Sequence, residues 1–383
     1  MATTNDLRQI RKKKKRKNLI KKIIILLSLV LVFFTGYITR DKWLPVFDGI
    51  VYKIQHIVTK EDFSKNFPIK TGSSSDYKIF SFKDKLVLLT DTKYTVYDRD
   101  GKVARTTQHT MTTPVVKIFD ERMLVYDMGG SKLNVESRSD IVYTKKFSEK
   151  IIYAKLGYNG YLAVVTSSDI NACDMTIYDS KGKKIFFSSF NQKILDITFS
   201  KGSKGCYVST MSAKGGQFVT KQYAFNFKKD KEQWISNPVV NLVLHSSLNS
   251  SGNIVLVGDV QYDIVSSSGA LKFSYLYPSD LIDYAVSDNI TALILHNSQR
   301  RSTECVIFDK SNNQKTFNIN GEYKKIHIYD SKIYVLCNKI IEIYSSDGKL
   351  ITQKNLEEYY ADFAIIDEYM YLLGSQKIDI IKL

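Results

Sequence analysis

The sequence predicts an all-β protein: a β-propeller of eight blades, with seven as the alternative count, preceded by one transmembrane helix. Three observations predict it. Ile23 to Ile38 (IIILLSLVLVFFTGYI) runs sixteen residues without a charge, the apolar pattern beyond residue 63 has period two, and a glycine-centred hairpin returns at multiples of about 40 residues. A 44% apolar and 12% aromatic fraction is ample for a packed core and excludes wholesale disorder.

Residues 1–22 form a basic cytoplasmic tail. The chain carries 55 Lys and Arg against 39 Asp and Glu, and ten of those basic residues lie in the tail (Arg8, Arg11, Lys12 to Lys15, Arg16, Lys17, Lys21, Lys22), opposed only by Asp6. An excess concentrated beside an apolar helix is a topology signal and argues against a nucleic-acid binder. It holds the N-terminus in the cytoplasm and sends the C-terminal domain outside. The same run attracts anionic headgroups.

Residues 19–39 read as a signal-anchor helix. Leu19, Ile20 and the stems of Lys21 and Lys22 extend the apolar run to about 20 residues, the span of a bilayer core. The run is longer than the apolar region of a cleaved signal peptide, and its exit, TGYITRD, offers no Ala-x-Ala-like site. The expected partner of Ile23 to Ile38 is therefore membrane lipid, in a single-pass protein of the cell membrane.

Residues 40–62 are predicted to be an amphipathic juxtamembrane stalk. Trp43, Leu44, Phe47, Ile50, Val51, Ile54, Ile57 and Val58 recur at intervals of threes and fours, with Trp43 placed as an interfacial aromatic. Such a stripe can lie on the bilayer, extend the anchor, pair with a second copy or dock on the distal domain.

Residues 63–383 are predicted to be the propeller. KLVLLT (85–90), YTVYD (94–98), MTIYD (175–179), NIVLVG (253–258), KIYVLC (332–337) and IIEIYS (340–345) fit buried or half-buried strands. YDRDGK (97–102), YDSKGK (178–183) and YSSDGK (344–349) share one hairpin form, and VSSSGA (265–270) is a weaker copy. Their glycine suits a left-handed residue closing a turn. Degenerate hairpins at 135–140, 227–231 and 308–313 bring the total to seven, each 36 to 47 residues from the next. About four strands per repeat is the mark of a propeller. The C-terminus supplies three strands (362–366, 369–373, 378–383), and residues 63 to 70, with Pro68 suited to an outer edge, would complete an eighth blade and close the ring.

The Tyr-Asp-x-x-Gly-Lys hairpin resembles the repeat of quinoprotein-type and WD40-type propellers, although the Trp after Gly-Lys and the Trp-Asp dipeptide are missing. The whole layout resembles an uncharacterised Firmicute family of single-span membrane proteins with a propeller-like ectodomain, a domain of unknown function. The resemblance implies a fold and no activity.

The chemistry-bearing residues point to no reaction. His56, His109, His245, His296 and His327 show no ligand spacing and read as surface or satisfied strand residues. Cys173, Cys206, Cys305 and Cys337 stand far apart without a CxxC and read as buried free thiols. The hairpin acids Asp98, Asp100 and Asp347 suit turns better than a calcium loop. GGSK (129–132) and KGG (214–216) follow no phosphate-loop pattern and read as hairpin loops. No catalytic, cofactor-binding or metal-ligating residue is assigned, and no cofactor. Lys228-Lys229-Asp230-Lys231 and Gln299-Arg300-Arg301 are solvated loops that would also suit an anionic cell-envelope polymer. The expectation is a scaffold or sensor that binds a protein partner or an envelope component. The alternative is a propeller enzyme acting on a carbohydrate or small molecule. A scaffold should show an exposed apolar patch on one rim, an enzyme a cluster of perturbed acids or histidines at the channel mouth.

Overall fold

Strands that are apolar on both faces build this molecule. In Lys85–Leu89, Leu86 and Leu88 pack toward one neighbouring sheet while Val87 and Leu89 pack toward the other. A strand sandwiched in this way loses the alternation of a half-exposed sheet and reads as a continuous hydrophobic run. Arg122–Asp127, Ile254–Gly258 and Lys332–Cys337 repeat the pattern.

The computed structural model describes residues 63–72, 76–229 and 231–383, with Lys21, Lys22 and Ser28. The predicted basic tail and anchor, apart from Lys21, Lys22 and Ser28, and the predicted stalk lie outside the described residues. Among the described residues, no helix is long and apolar enough to cross a membrane.

Residues 63–383 form eight antiparallel sheets arranged as an eight-bladed propeller. Blades one to seven occupy 78–108, 114–146, 151–190, 193–240, 243–276, 280–318 and 323–355, each with four strands in simple inner-to-outer order, to which blade four adds Val239–Val240 paired on its third strand. The eighth blade combines Asp362–Ile366, Tyr369–Leu373 and Lys377–Lys382 with the N-terminal Ile69–Lys70 as its outer strand. The ring is thus closed by its two ends, with the count of eight and the closing segment both as expected. Only Ile69–Lys70 of that segment is strand; Phe63–Asn66 forms a 3-10 turn. Phe63 lies edge-on to Tyr369 at 5.4 Å and under the Arg99 guanidinium at 4.3 Å, so the segment is packed as well as paired.

Eight hydrophobic clusters fill the eight seams between successive blades. The seam between blades four and five is the leanest: blade five supplies its buried residues, while blade four adds only half-buried Leu195, Tyr207 and Trp234. All seven hairpins join the third and outer strands of blades one to seven. The glycines at 101, 182, 269 and 348 have φ between 79° and 89°, the left-handed conformation that the turn requires. GGSK and KGG close hairpins between the second and third strands of blades two and four. The four cysteines are buried free thiols, spread over blades three, four, six and seven. Burial pushes the Cys337 thiol up to about 12.

Candidate functional site at the central channel

The inner strand of each blade lines the channel, and in five successive blades that strand carries a bulge near its start. The ladder skips one residue at Ile152, Leu195, Leu244, Ile282 and Lys324 in blades three to seven. A bulge turns the unpaired residue out of the ladder and re-aims those that follow. Two consequences bear on function.

First, the re-aimed residues are polar and meet across seams. Asp196 of blade four, 3% exposed, accepts both contacts of the Lys155 ammonium at 2.9 Å, the Ser246 N–H at 2.6 Å, the Ile197 N–H at 2.7 Å and the Tyr153 hydroxyl. Lys155 also donates to the Ser246 carbonyl at 2.8 Å, so one clamp ties blades three, four and five. Burial alone would lift the Asp196 pKa, but Lys155, His245 and the Tyr153 hydroxyl hold it at about 2. His245 lies 3.9 Å from Asp196, and burial with the nearby Lys155 lowers its pKa to about 4, leaving it neutral at pH 7. Asp283 repeats the arrangement at the next seam but one, taking Tyr323 at 2.6 Å and Lys325 at 3.1 Å. His327 faces Asp362 at 3.6 Å between blades seven and eight.

Lys117 of blade two completes this belt differently. Its ammonium lies 3.6 Å over the Tyr153 ring, and burial draws its pKa down to about 7, with Asp196 opposing and Lys155 assisting. Below the belt, toward the ends of the inner strands, the channel widens into a cavity of about 590 Å³ whose wall includes Lys117, Lys155, His245 and His327.

Second, the bulged residues form an apolar arc where the inner strands begin. Ile152 is 40% exposed, Leu244 46% and Ile282 48%, and Leu195 between them is half-buried against the blade-five core. In antiparallel blades, the loops into the inner strands and those joining second to third strands share one face. Met128, Ile170 and Leu276, all exposed, lie on those loops or strand ends. Exposed Val103, Ile141, Leu271 and Leu350 instead begin outer strands, dispersed one per blade around the perimeter.

Of the five histidines, His245 and His327 reach the channel, whereas His109 bonds the Thr90 carbonyl and His296 bonds Thr303 as satisfied strand residues. His56 lies outside the described residues. No group of three or more His, Cys, Asp or Glu residues able to hold a metal occurs among the described residues. The hairpin acids serve turns: Asp179 accepts the N–H groups of Lys181 and Lys183, and Asp100 that of Lys102. Lys228, Lys229 and Lys231 sit in the third-to-outer hairpin of blade four, Arg300 and Arg301 in the second-to-third hairpin of blade six, so the two basic clusters occupy opposite faces. Sequence reasoning assigned none of the belt. Its signal was a lone acid inside an apolar strand, Asp196 in ILDITF, with no indication of what it would meet.

Among solved structures, the chain is similar to BamB from Moraxella catarrhalis at 11% identity and TM-score 0.53, over 82% of this chain and 100% of that one. It is similar to Saccharomyces cerevisiae Sqt1 at 12% identity and TM-score 0.59, over 83% and 98%. Chaetomium thermophilum Sqt1, solved bound to the N-terminus of ribosomal protein L10, matches at 10% identity and TM-score 0.55, over 82% and 99%. Identities this low show the propeller fold alone. No curated protein sequence matches the chain. A family model does match, over residues 55–383, and it bears out the resemblance to a family of unknown function for the propeller part of the chain: the protein belongs to the family of unknown function DUF5711.

Proposed function

We propose that this protein is a membrane-anchored, extracytoplasmic propeller that binds a protein partner as a scaffold or sensor, using the face that carries the apolar arc. The arc of Ile152, Leu244 and Ile282 is the observation that carries the reading. These exposed apolar residues stand at equivalent positions of the inner strands of blades three, five and six, on one rim of the channel, and apolar surface gathered on one rim marks an interaction surface. Because each is already about half covered, seating each apolar residue in an interface would contribute about 1 kcal/mol. Chaetomium Sqt1, which shares the fold, was solved bound to a protein N-terminus, and this supports a protein as the class of partner. The basic tail and the apolar run Ile23 to Ile38 support the membrane placement and the outward-facing domain. An envelope polymer is the second partner class, suited to the basic clusters.

The enzyme reading draws on the perturbed belt. Against it, Asp196 is locked by its donors and His245 is held neutral beside it, the arrangement of a structural clamp. The test uses the four native thiols' burial. In Ile282→Cys, a membrane-impermeant maleimide-benzophenone added to intact cells of the native host should label the new thiol and, on illumination, give one discrete protein adduct. That adduct should vanish when Ile152 and Leu244 are both changed to Glu. No labelling from outside refutes the topology, and labelling without a discrete adduct refutes the partner.

A further inference from the structure

Lys117 is a channel cation that makes no salt bridge among the described residues; its ammonium has the Tyr153 ring face at 3.6 Å. The groups facing it from neighbouring strands are Tyr153 and Lys155 of blade three, Asp196 of blade four and His245 of blade five. Asp196 cannot serve it, because its two oxygens are occupied by Lys155, Tyr153, Ser246 and Ile197. Lys155 and Asp196 cancel, and His245 is neutral, so Lys117 is left as the one uncompensated cation of this group.

The adjoining cavity of about 590 Å³ falls in the range that encloses small organic molecules. Part of its wall is apolar, formed by Ile79, Ile118, Phe119 and Ile328. One wall residue, Ser247, has its Oγ buried without a hydrogen-bond partner. A buried ammonium in this setting is under-stabilised, its pKa near 7 being the consequence, and a counter-ion brought by a ligand would restore the charged form. A single uncompensated ammonium matches a single carboxylate placed against it, and Asp288 elsewhere on the wall opposes any further negative charge. We propose that this cavity binds a small organic monoanion, its carboxylate on Lys117 and its apolar body against Ile118, Phe119 and Ile328. The site is separate from the apolar arc and stands or falls independently of it.

The probes are 3-phenylpropionate and its neutral isostere 3-phenylpropanamide, titrated calorimetrically into the full chain in non-ionic detergent at about pH 7.5, in two buffers of different ionisation enthalpy. The acid should bind at least about tenfold more tightly than the amide, as expected for a charge-assisted contact, and should take up a fraction of a proton. Lys117→Met should abolish both the preference and the uptake. Lys117→Arg, always charged, should keep the preference without proton uptake. Equal binding of acid and amide, no binding of the acid up to about 10 mM, or undiminished binding in a folded Lys117→Met overturns the proposal. If the Met variant does not fold, unchanged proton uptake in Lys117→Arg overturns it equally.

Discussion

Asp196 is a single carboxylate that holds three blades, and its surroundings make its loss expensive. Removing its charge would leave the largely buried Lys155 without its counter-ion and would turn one acceptor oxygen into a donor among four donor groups. Asp196→Asn should cost about 3 to 5 kcal/mol, read as a melting temperature several degrees lower. An unchanged melt would show that the clamp is dispensable. The same residues dictate a pH response. Asp196 titrates below its ordinary 3.8, at about 2, so its contribution is complete above that ordinary value and fades as pH falls toward 2. His245 titrates at about 4 in place of 6.5, so the unfolded chain takes up its proton first and stability falls as pH drops from 6.5 to 4. Across that window the melting temperature of His245→Gln should decline less than that of the parent. Parallel curves would mean that His245 is not held neutral in the folded state.

At the scale of the element, the closing segment and the bulges matter most. Ile69 and Lys70 pair with Ile378 and Lys377, a two-residue outer strand that would be marginal alone. Its hold comes from Phe63, which is buried against Tyr369 and Arg99, and from Phe67 against Tyr371. Phe63→Ala should therefore cost about 3 kcal/mol, and deletion of residues 63 to 70 should lower the cooperative melting temperature further. A deletion that melts with the parent would show that the ring does not depend on its closure. The bulges explain how one element serves two ends: in blades three to six each turns an apolar residue outward and a polar one into the belt, while in blade seven the bulged residue is Lys324. Blades eight, one and two have regular inner ladders, so the arc does not run right round the mouth.

At the scale of the whole molecule, eight seams share the load unevenly. Seven are joined by buried apolar residues from both blades, whereas the fourth-to-fifth seam relies on the Asp196 clamp and on Asn241 of the connecting segment, which donates to Asp263 of blade five at 2.9 Å and whose carbonyl accepts the Thr220 hydroxyl of blade four at 2.6 Å. The protein therefore has a rim suited to a partner, a belt that braces the ring, and a cavity on the side of the belt away from the arc. The sequence alone determined the fold class, the seven hairpins and the closure, because period-two strands and left-handed glycines are local properties, legible residue by residue. Pro68 and the three C-terminal strands were enough to count the eighth blade. Only the tertiary structure decided that Tyr153, Lys155, Asp196 and His245 meet, and that Ile152, Leu244 and Ile282 share a face. Those contacts join residues about 40 to 130 positions apart, and they depend on bulges that shift side-chain direction by one residue. A one-residue shift leaves no mark in hydrophobic period or composition, yet it selects which side chain enters the channel.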